Sequence, residues 1–256
     1  MTISEAAILG MVQGLTEFLP VSSSGHLVIM QQFLGIQEPP LTFDIMVHLG
    51  TVVAVIAAFW SDIVDIIRRP TQRLVLMILI GAIPTGLIGV LFKPIFESFF
   101  SSLLVVGIGL LITGLLLWFA EYFAFGYKSI REMTIVDALI IGTIQGVAIT
   151  PGISRSGSTI AGGLLTGLDR ELAARYSFLL SIPVILGATL LEARDLWQNQ
   201  LSIDYAPLIV GSAIAVVTGF FAVKVVIKIV KQGRLSIFSY YCWVVGLLLI
   251  AQQLFI

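Results

Sequence analysis

Along the chain, long apolar runs alternate with two compact polar stretches. The runs 74–92, 99–120, 207–223 and 235–256 each approach the roughly 20 residues that a helix needs to cross a bilayer. Two shorter runs, 45–60 and 176–191, predict spans that tilt, thin the bilayer or are shielded by neighbours. Against this background residues 13–27, Gln-Gly-Leu-Thr-Glu-Phe-Leu-Pro-Val-Ser-Ser-Ser-Gly-His-Leu, are polar, and residues 145–159, Gln-Gly-Val-Ala-Ile-Thr-Pro-Gly-Ile-Ser-Arg-Ser-Gly-Ser-Thr, read as a diluted copy. Pro20 and Gly25 in the first, and Pro151, Gly152 and Gly157 in the second, break helices. Each stretch therefore predicts a re-entrant helix, loop and helix, which membrane depth tolerates only where protein or a water-filled cavity satisfies the backbone.

Displaced by 132 residues, the chain matches itself at eight of the twenty positions from Ala6 to Gly25, among them Gly10/Gly142, Gln13/Gln145, Ser22/Ser154, Ser24/Ser156 and Gly25/Gly157. Three predicted spans follow each copy, giving repeats of about 1–125 and 133–256 within one membrane domain. An odd number of crossings per repeat turns the second half upside down relative to the first, as in many secondary transporters. The expected fold is an all-α integral membrane protein of about six transmembrane helices plus two re-entrant hairpins in an inverted repeat.

Composition agrees: 58% of residues are hydrophobic, 11% are charged and the mean hydropathy is +1.05, against about 25% charged in soluble domains. A net charge of −1 leaves no nucleic-acid footprint. The start, Met-Thr-Ile-Ser-Glu, has no basic segment or small-residue cleavage site, so the N-terminus is expected to be kept. A single cysteine, Cys242, excludes an intramolecular disulfide and reads as a small core residue. In the six-span arrangement Arg68, Arg69, Arg73, Lys128, Arg131, Lys224, Lys228, Lys231 and Arg234 fall on one face, leaving mainly Lys93 and Arg194 on the other. The positive-inside rule makes the rich face cytoplasmic and both termini external.

Ionisable groups within such segments point to function. Glu17 lies four residues after Gln13, so on a helix both project from one face and suit a hard divalent cation; the alternative is a structural pair with a basic residue. His26 follows three serines and, with a hydroxyl beside it, suits a base or a nucleophile. Arg155 cannot shed its charge, and where a loop runs into a helix its fork and the free N–H groups make an anion site that fits phosphate. A structural Arg155–Glu17 pair is the alternative. His48 reads as a packing residue, Asp44 as a helix cap, and Asp169, Arg170, Glu171 and Arg175 as a solvated helix start. Trp60, Trp118, Trp197 and Trp243 suit a membrane-interface belt. Gly107, Gly109, Gly114 and Gly211 permit close helix contact, within the chain or in a homodimer.

The stretches 13–26 and 151–159, with Ser-Phe-Leu-Leu-Ser-Ile-Pro at 177–183, closely resemble the signatures of the undecaprenyl-diphosphate phosphatases, also called bacitracin-resistance proteins. The resemblance covers the whole chain. It implies a metal-dependent hydrolase of a bacterial or archaeal plasma membrane that takes the terminal phosphate from a polyprenyl diphosphate and regenerates the monophosphate carrier of cell-wall glycan synthesis. On that reading Glu17 holds Mg²⁺ or Ca²⁺, and Gln13, where the family also uses Glu, is the weaker ligand. Arg155 clamps phosphate oxygens, with Ser22, Ser24, Gly25, Ser154, Ser156, Gly157 and Thr159 in the phosphate-binding set. His26 is the nucleophile or the base acting on Ser23. The prenyl tail lies between helices among membrane lipids, and the pocket opens sideways and to the external side. From a different class, the same inverted-repeat architecture also fits a lipid-phosphate transporter or flippase.

Overall fold

Each apolar run is a helix, and each polar stretch is a break between two. The structure, a computed structural model, describes residues 1–36, 41–199 and 205–255; the side chains of 41, 193–199 and 255, and so of Arg194 and Trp197, lie outside the described residues. In chain order the helices are α1 (Ile3–Phe18), α2 (Ser23–Phe33), α3 (Leu41–Ala58), α4 (Trp60–Arg68), α5 (Arg73–Leu91) and α6 (Lys93–Phe99). There follow α7 (Leu103–Phe123), α8 (Ile135–Val147), α9 (Arg155–Leu165), α10 (Arg170–Asn199), α11 (Tyr205–Lys231) and α12 (Ser236–Phe255). Among the described residues five helices, α5, α7, α10, α11 and α12, are long and apolar enough to cross a membrane, and α3 with α4, bent by 83° at their break, makes a sixth when the pair is counted as one span. The protein is thus an all-α, multi-pass membrane protein.

Local chemistry sets the hairpin boundaries. Helix α1 opens on a capping box between Thr2 and Glu5, and α8 on one between Thr134 and Asp137, at positions that correspond across the repeat offset. Helices α2 and α9 open on Ser22 and Ser154, whose hydroxyls accept the N–H groups of Gly25 and Gly157 at 3.3 and 3.1 Å. Between the arms, Pro20 and the Pro151-Gly152 pair stop the incoming helix.

The hairpins are held by exchange. Helix α1 packs along α11, and α8 along α5. At these crossings a Cβ on Gly10 would strike the carbonyl of Gly211, and one on Gly142 the carbonyl of Gly81. Helices α7 and α12 pack along each other and brace the loops, with Thr113 Oγ1 donating to Gly152 O at 3.1 Å and accepting from Ser154 N at 2.9 Å. Phe18, Val106, Leu110, Ile160 and Phe178 fill the core around this crossing.

Several sequence expectations need revision. The short helices α4 and α6, which bury no residue, interrupt what reads as plain loop. Trp243, read as an interface residue, also packs: its Nε1 donates to Leu111 O at 3.3 Å, and its ring lies against Gly114. Gly107 meets α12, Gly109 meets Gly152, and Gly211 meets Phe43, so all four glycines serve contacts within the chain. Arg175 pairs with Asp62 of α4, and Asp169 caps α10, whereas Glu171 and Lys231 form an exposed pair at 2.8 Å. The basic loops gather at one end, where Arg73 donates to Met133 O at 2.6 Å and Lys128 to Thr166 O at 2.7 Å.

Candidate active site

The two hairpin loops meet, and their meeting places one carboxylate among three donors. Glu17, at the end of α1, is 5% exposed. Its Oε1 accepts from Arg155 Nη2 at 2.6 Å, and its Oε2 accepts from Ser23 Oγ at 2.5 Å and from Gln13 Nε2 at 2.9 Å. His48 Nε2 stands 3.9 Å from the same oxygen. Burial of a carboxylate at this depth requires such a set, because an unpaired buried charge costs several kcal/mol. The pair of Arg155 with Glu17, one of two sequence alternatives for each residue, is therefore present.

Geometry leaves Arg155 with more than that pair to satisfy. Its Nη1 is buried with no hydrogen-bond partner among the described residues. A guanidinium that spends one arm on a carboxylate and leaves the other unpartnered keeps a donor for a phosphate oxygen. The cleft, of about 430 Å³, has Glu17, Ser23, Ser24, Asp44, His48 and Arg155 on its polar wall. Leu27, Val28, Ile149, Val184 and Ile185 make its other wall apolar, and Lys93 and Glu97 of α6 also line it. A phosphorylated head and a greasy tail both find their chemistry in one opening.

Of the residues expected from sequence, Glu17, Ser23, Ser24 and Arg155 reach this cleft. The others hold the loops. Ser22 caps α2 and accepts from Gly152 N at 3.1 Å, tying one hairpin to the other. Ser154 caps α9, and Ser156 Oγ donates to Leu19 O at 3.2 Å across the loops. Gly25 lies against Gly152, and Gly157 against Pro20, where little more than a hydrogen fits. Thr159 is fully buried and shares a 2.5 Å hydrogen bond with Ser177 of α10. His26 turns its Nδ1 to Ser22 O at 2.8 Å and its Nε2 to the Tyr241 hydroxyl at 2.7 Å, with no hydrogen bond to Ser23.

Two cleft residues were misread. Asp44, expected as a cap, lies in the first turn of α3 with its Oδ1 buried and without a hydrogen-bond partner among the described residues, and His48, expected as packing, faces Glu17. Their signal was available: they stand four apart on one helix, the spacing that flagged Gln13 and Glu17.

The donors fit a resident dication poorly. Both oxygens of Glu17 already carry donors, one of them a guanidinium that a second cation would have to displace. Gln13 presents its amide nitrogen to Glu17, leaving its Oε1 buried and unpartnered. Among the described residues no group of three or more His, Cys, Asp or Glu is placed to hold a metal.

The chain is 49% identical over 253 residues to an undecaprenyl-diphosphatase of Halothermothrix orenii, covering 98% of both chains. To the enzyme of that name from Carboxydothermus hydrogenoformans it is 50% identical over 252 residues, 97% of each chain, and to one from Methanosphaera stadtmanae it is 43% identical over 270, again 97% of each. The family model described as bacitracin resistance protein BacA matches residues 6–248. That match takes in both hairpins and the helices that carry them, and by it the chain belongs to the bacitracin resistance protein BacA family.

Proposed function

We propose that this protein is a polyprenyl diphosphate phosphatase, which hydrolyses undecaprenyl diphosphate or a close relative to the lipid monophosphate and inorganic phosphate. One observation carries the reading: Ser23 Oγ donates to Glu17 Oε2 at 2.5 Å in a cleft where Arg155 Nη1 stands buried without a partner. A nucleophile, its base and an anion clamp thus share one carboxylate. The names of the relatives speak for hydrolysis rather than transport.

The chemistry follows from that sharing. A terminal phosphate entering the cleft competes with Glu17 for the Arg155 fork, and the carboxylate becomes free to take the Ser23 proton. Ser23 Oγ attacks the terminal phosphorus, the bridging P–O bond breaks, and the lipid monophosphate leaves with those electrons. Glu17 passes its proton to the departing monophosphate; water then attacks the phosphoserine and gives a proton to Glu17, the P–Oγ bond breaks, and Glu17 hands that proton to the leaving Ser23 Oγ. Phosphoryl transfer of this kind depends chiefly on positioning and positive charge on the transferred oxygens, which Arg155 and the N-terminus of α9 supply. Mg²⁺ or Ca²⁺, in this proposal, arrives as the counterion of the diphosphate, whose oxygens supply ligands that Glu17 has none to spare for.

The tail lies along the apolar wall and out between helices among membrane lipids, and the cleft opens to the external side of a prokaryotic plasma membrane. An impermeant maleimide should therefore label Glu97→Cys on intact cells; labelling only after permeabilisation would contradict that facing. Purified protein in detergent should release inorganic phosphate from farnesyl diphosphate, and a chelator should lower the rate. No release, with or without divalent ions, would overturn the phosphatase reading.

A further inference from the structure

Ser22 is the one non-glycine with positive φ among the described residues, at φ 70° and ψ 97°. An L residue keeps such backbone only where its surroundings over-determine it, and this one immediately precedes the proposed nucleophile. Gly152 N and Gly25 N hold its hydroxyl at 3.1 and 3.3 Å. Its carbonyl accepts the His26 backbone N–H at 3.1 Å and the His26 ring at 2.8 Å. A carbonyl can only accept, so Nδ1 carries a proton, and in the neutral ring Nε2 presents its lone pair. Tyr241 fills that lone pair: its hydroxyl donates to Nε2 at 2.7 Å, and the two rings stack with centroids 5.7 Å apart at 14°. The neighbouring Cys242 thiol points at Pro20 O, 3.7 Å away, so α12 grips the loop at two adjacent residues.

Both nitrogens of His26 are committed, and neither meets Ser23, whose proton is aimed at Glu17. We infer that His26 and Tyr241 are positioning residues, a strut from α12 that holds the Ser22 carbonyl and through it aims Ser23 Oγ at Glu17. The ring acts as a doubly bonded link, not as base or nucleophile. This rests on the phosphatase reading with Ser23 as nucleophile. The sequence hides the link, because Tyr241 stands 215 residues from His26.

The test uses the full chain in detergent with farnesyl diphosphate, comparing wild type, His26→Asn, His26→Ala, Tyr241→Phe and the double variant Tyr241→Phe with His26→Ala. Wild-type phosphate release establishes the reading on which the inference rests; its absence overturns both. An asparagine amide N–H can occupy the place of Nδ1 and donate to Ser22 O. His26→Asn should therefore keep kcat within about tenfold of wild type with an unchanged pH profile, whereas His26→Ala should lose about a hundredfold in kcat with KM little altered. Tyr241→Phe keeps the ring stack and removes only the hydroxyl; it should cost about five- to tenfold in kcat in the wild-type background and nothing on His26→Ala, the non-additivity of two residues acting in series. His26→Asn as inactive as His26→Ala would show that the ring's own chemistry is needed and overturn the inference. Equal costs of Tyr241→Phe in both backgrounds would overturn it too.

Discussion

The two hairpins share a scaffold and divide the chemistry. In each, a serine caps the second arm and lies within 3.3 Å of the hydroxyl two residues on, Ser22 with Ser24 and Ser154 with Ser156, before a glycine that packs on the other loop. The stretches 13–27 and 145–159 differ at ten positions, and three of these differences carry chemistry: Glu17 stands opposite Ile149, Ser23 opposite Arg155, and His26 opposite Ser158. All three concern the site, since Glu17, Ser23 and Arg155 meet in the cleft and His26 holds the loop that presents Ser23. Of the serines and glycines common to both loops, all but the cleft-lining Ser24 build the crossing, and the chemistry falls to residues that differ. A polar side chain in a membrane hairpin therefore has two uses, and symmetry separates them.

The comparison breaks most visibly at the carboxylate. Glu17→Gln keeps the shape and removes the base, and should cost about 10² to 10⁴ in kcat, measured as phosphate release. Arg155→Ser gives the second hairpin the kind of residue the first holds at that place; it should lower kcat/KM by about 10² to 10³ while the protein still folds. Should Arg155→Ser keep most of its turnover, the division of labour between the loops is wrong.

Smaller effects sharpen the scaffold side. Thr159→Val leaves the Ser177 hydroxyl buried without its partner and should cost about 1–3 kcal/mol in stability with kcat little changed; a large loss of activity at unchanged stability would return Thr159 to the phosphate-binding set. Asp137→Asn should cost about 1 kcal/mol by weakening the capping box at the mouth of the second hairpin. Burial alone would raise the Asp137 carboxyl, but hydrogen bonds from Thr134 and the charge of Lys128 outweigh it and hold the group below its ordinary value. Because the folded form titrates lower, this contribution is whole above the ordinary Asp range of about 4 and fades as pH falls through the depressed value. Melting of Asp137→Asn should accordingly converge on wild type in acid and differ from it at neutral pH.

How much of this was legible in the sequence differs by physical scale. The six spans were readable because a bilayer demands long apolar runs, and the hairpins because Pro20, Pro151 and Gly152 cannot sit quietly inside them. Helices α4 and α6 were not, since nine and seven residues are too few to carry a span signal. In the site, Glu17 and Arg155 stood out by the cost of burying charge. Asp44 and His48 were each weighed alone and assigned to capping and packing, although their spacing puts both on one helix face. Orientation was the hardest to read: nothing local says that His26 turns to Tyr241 on α12, or that Thr159 shares its hydroxyl with Ser177 on α10. Those choices are made by partners far along the chain.

The central claim is that the loops assemble a serine nucleophile served by Glu17 and Arg155. The most direct measurement is rapid quenching of wild-type enzyme with a polyprenyl diphosphate labelled in its terminal phosphate, followed by mapping of the trapped label. Acid-stable label on Ser23, absent from Ser23→Ala, is the predicted result; acid-labile label on His26 would contradict it.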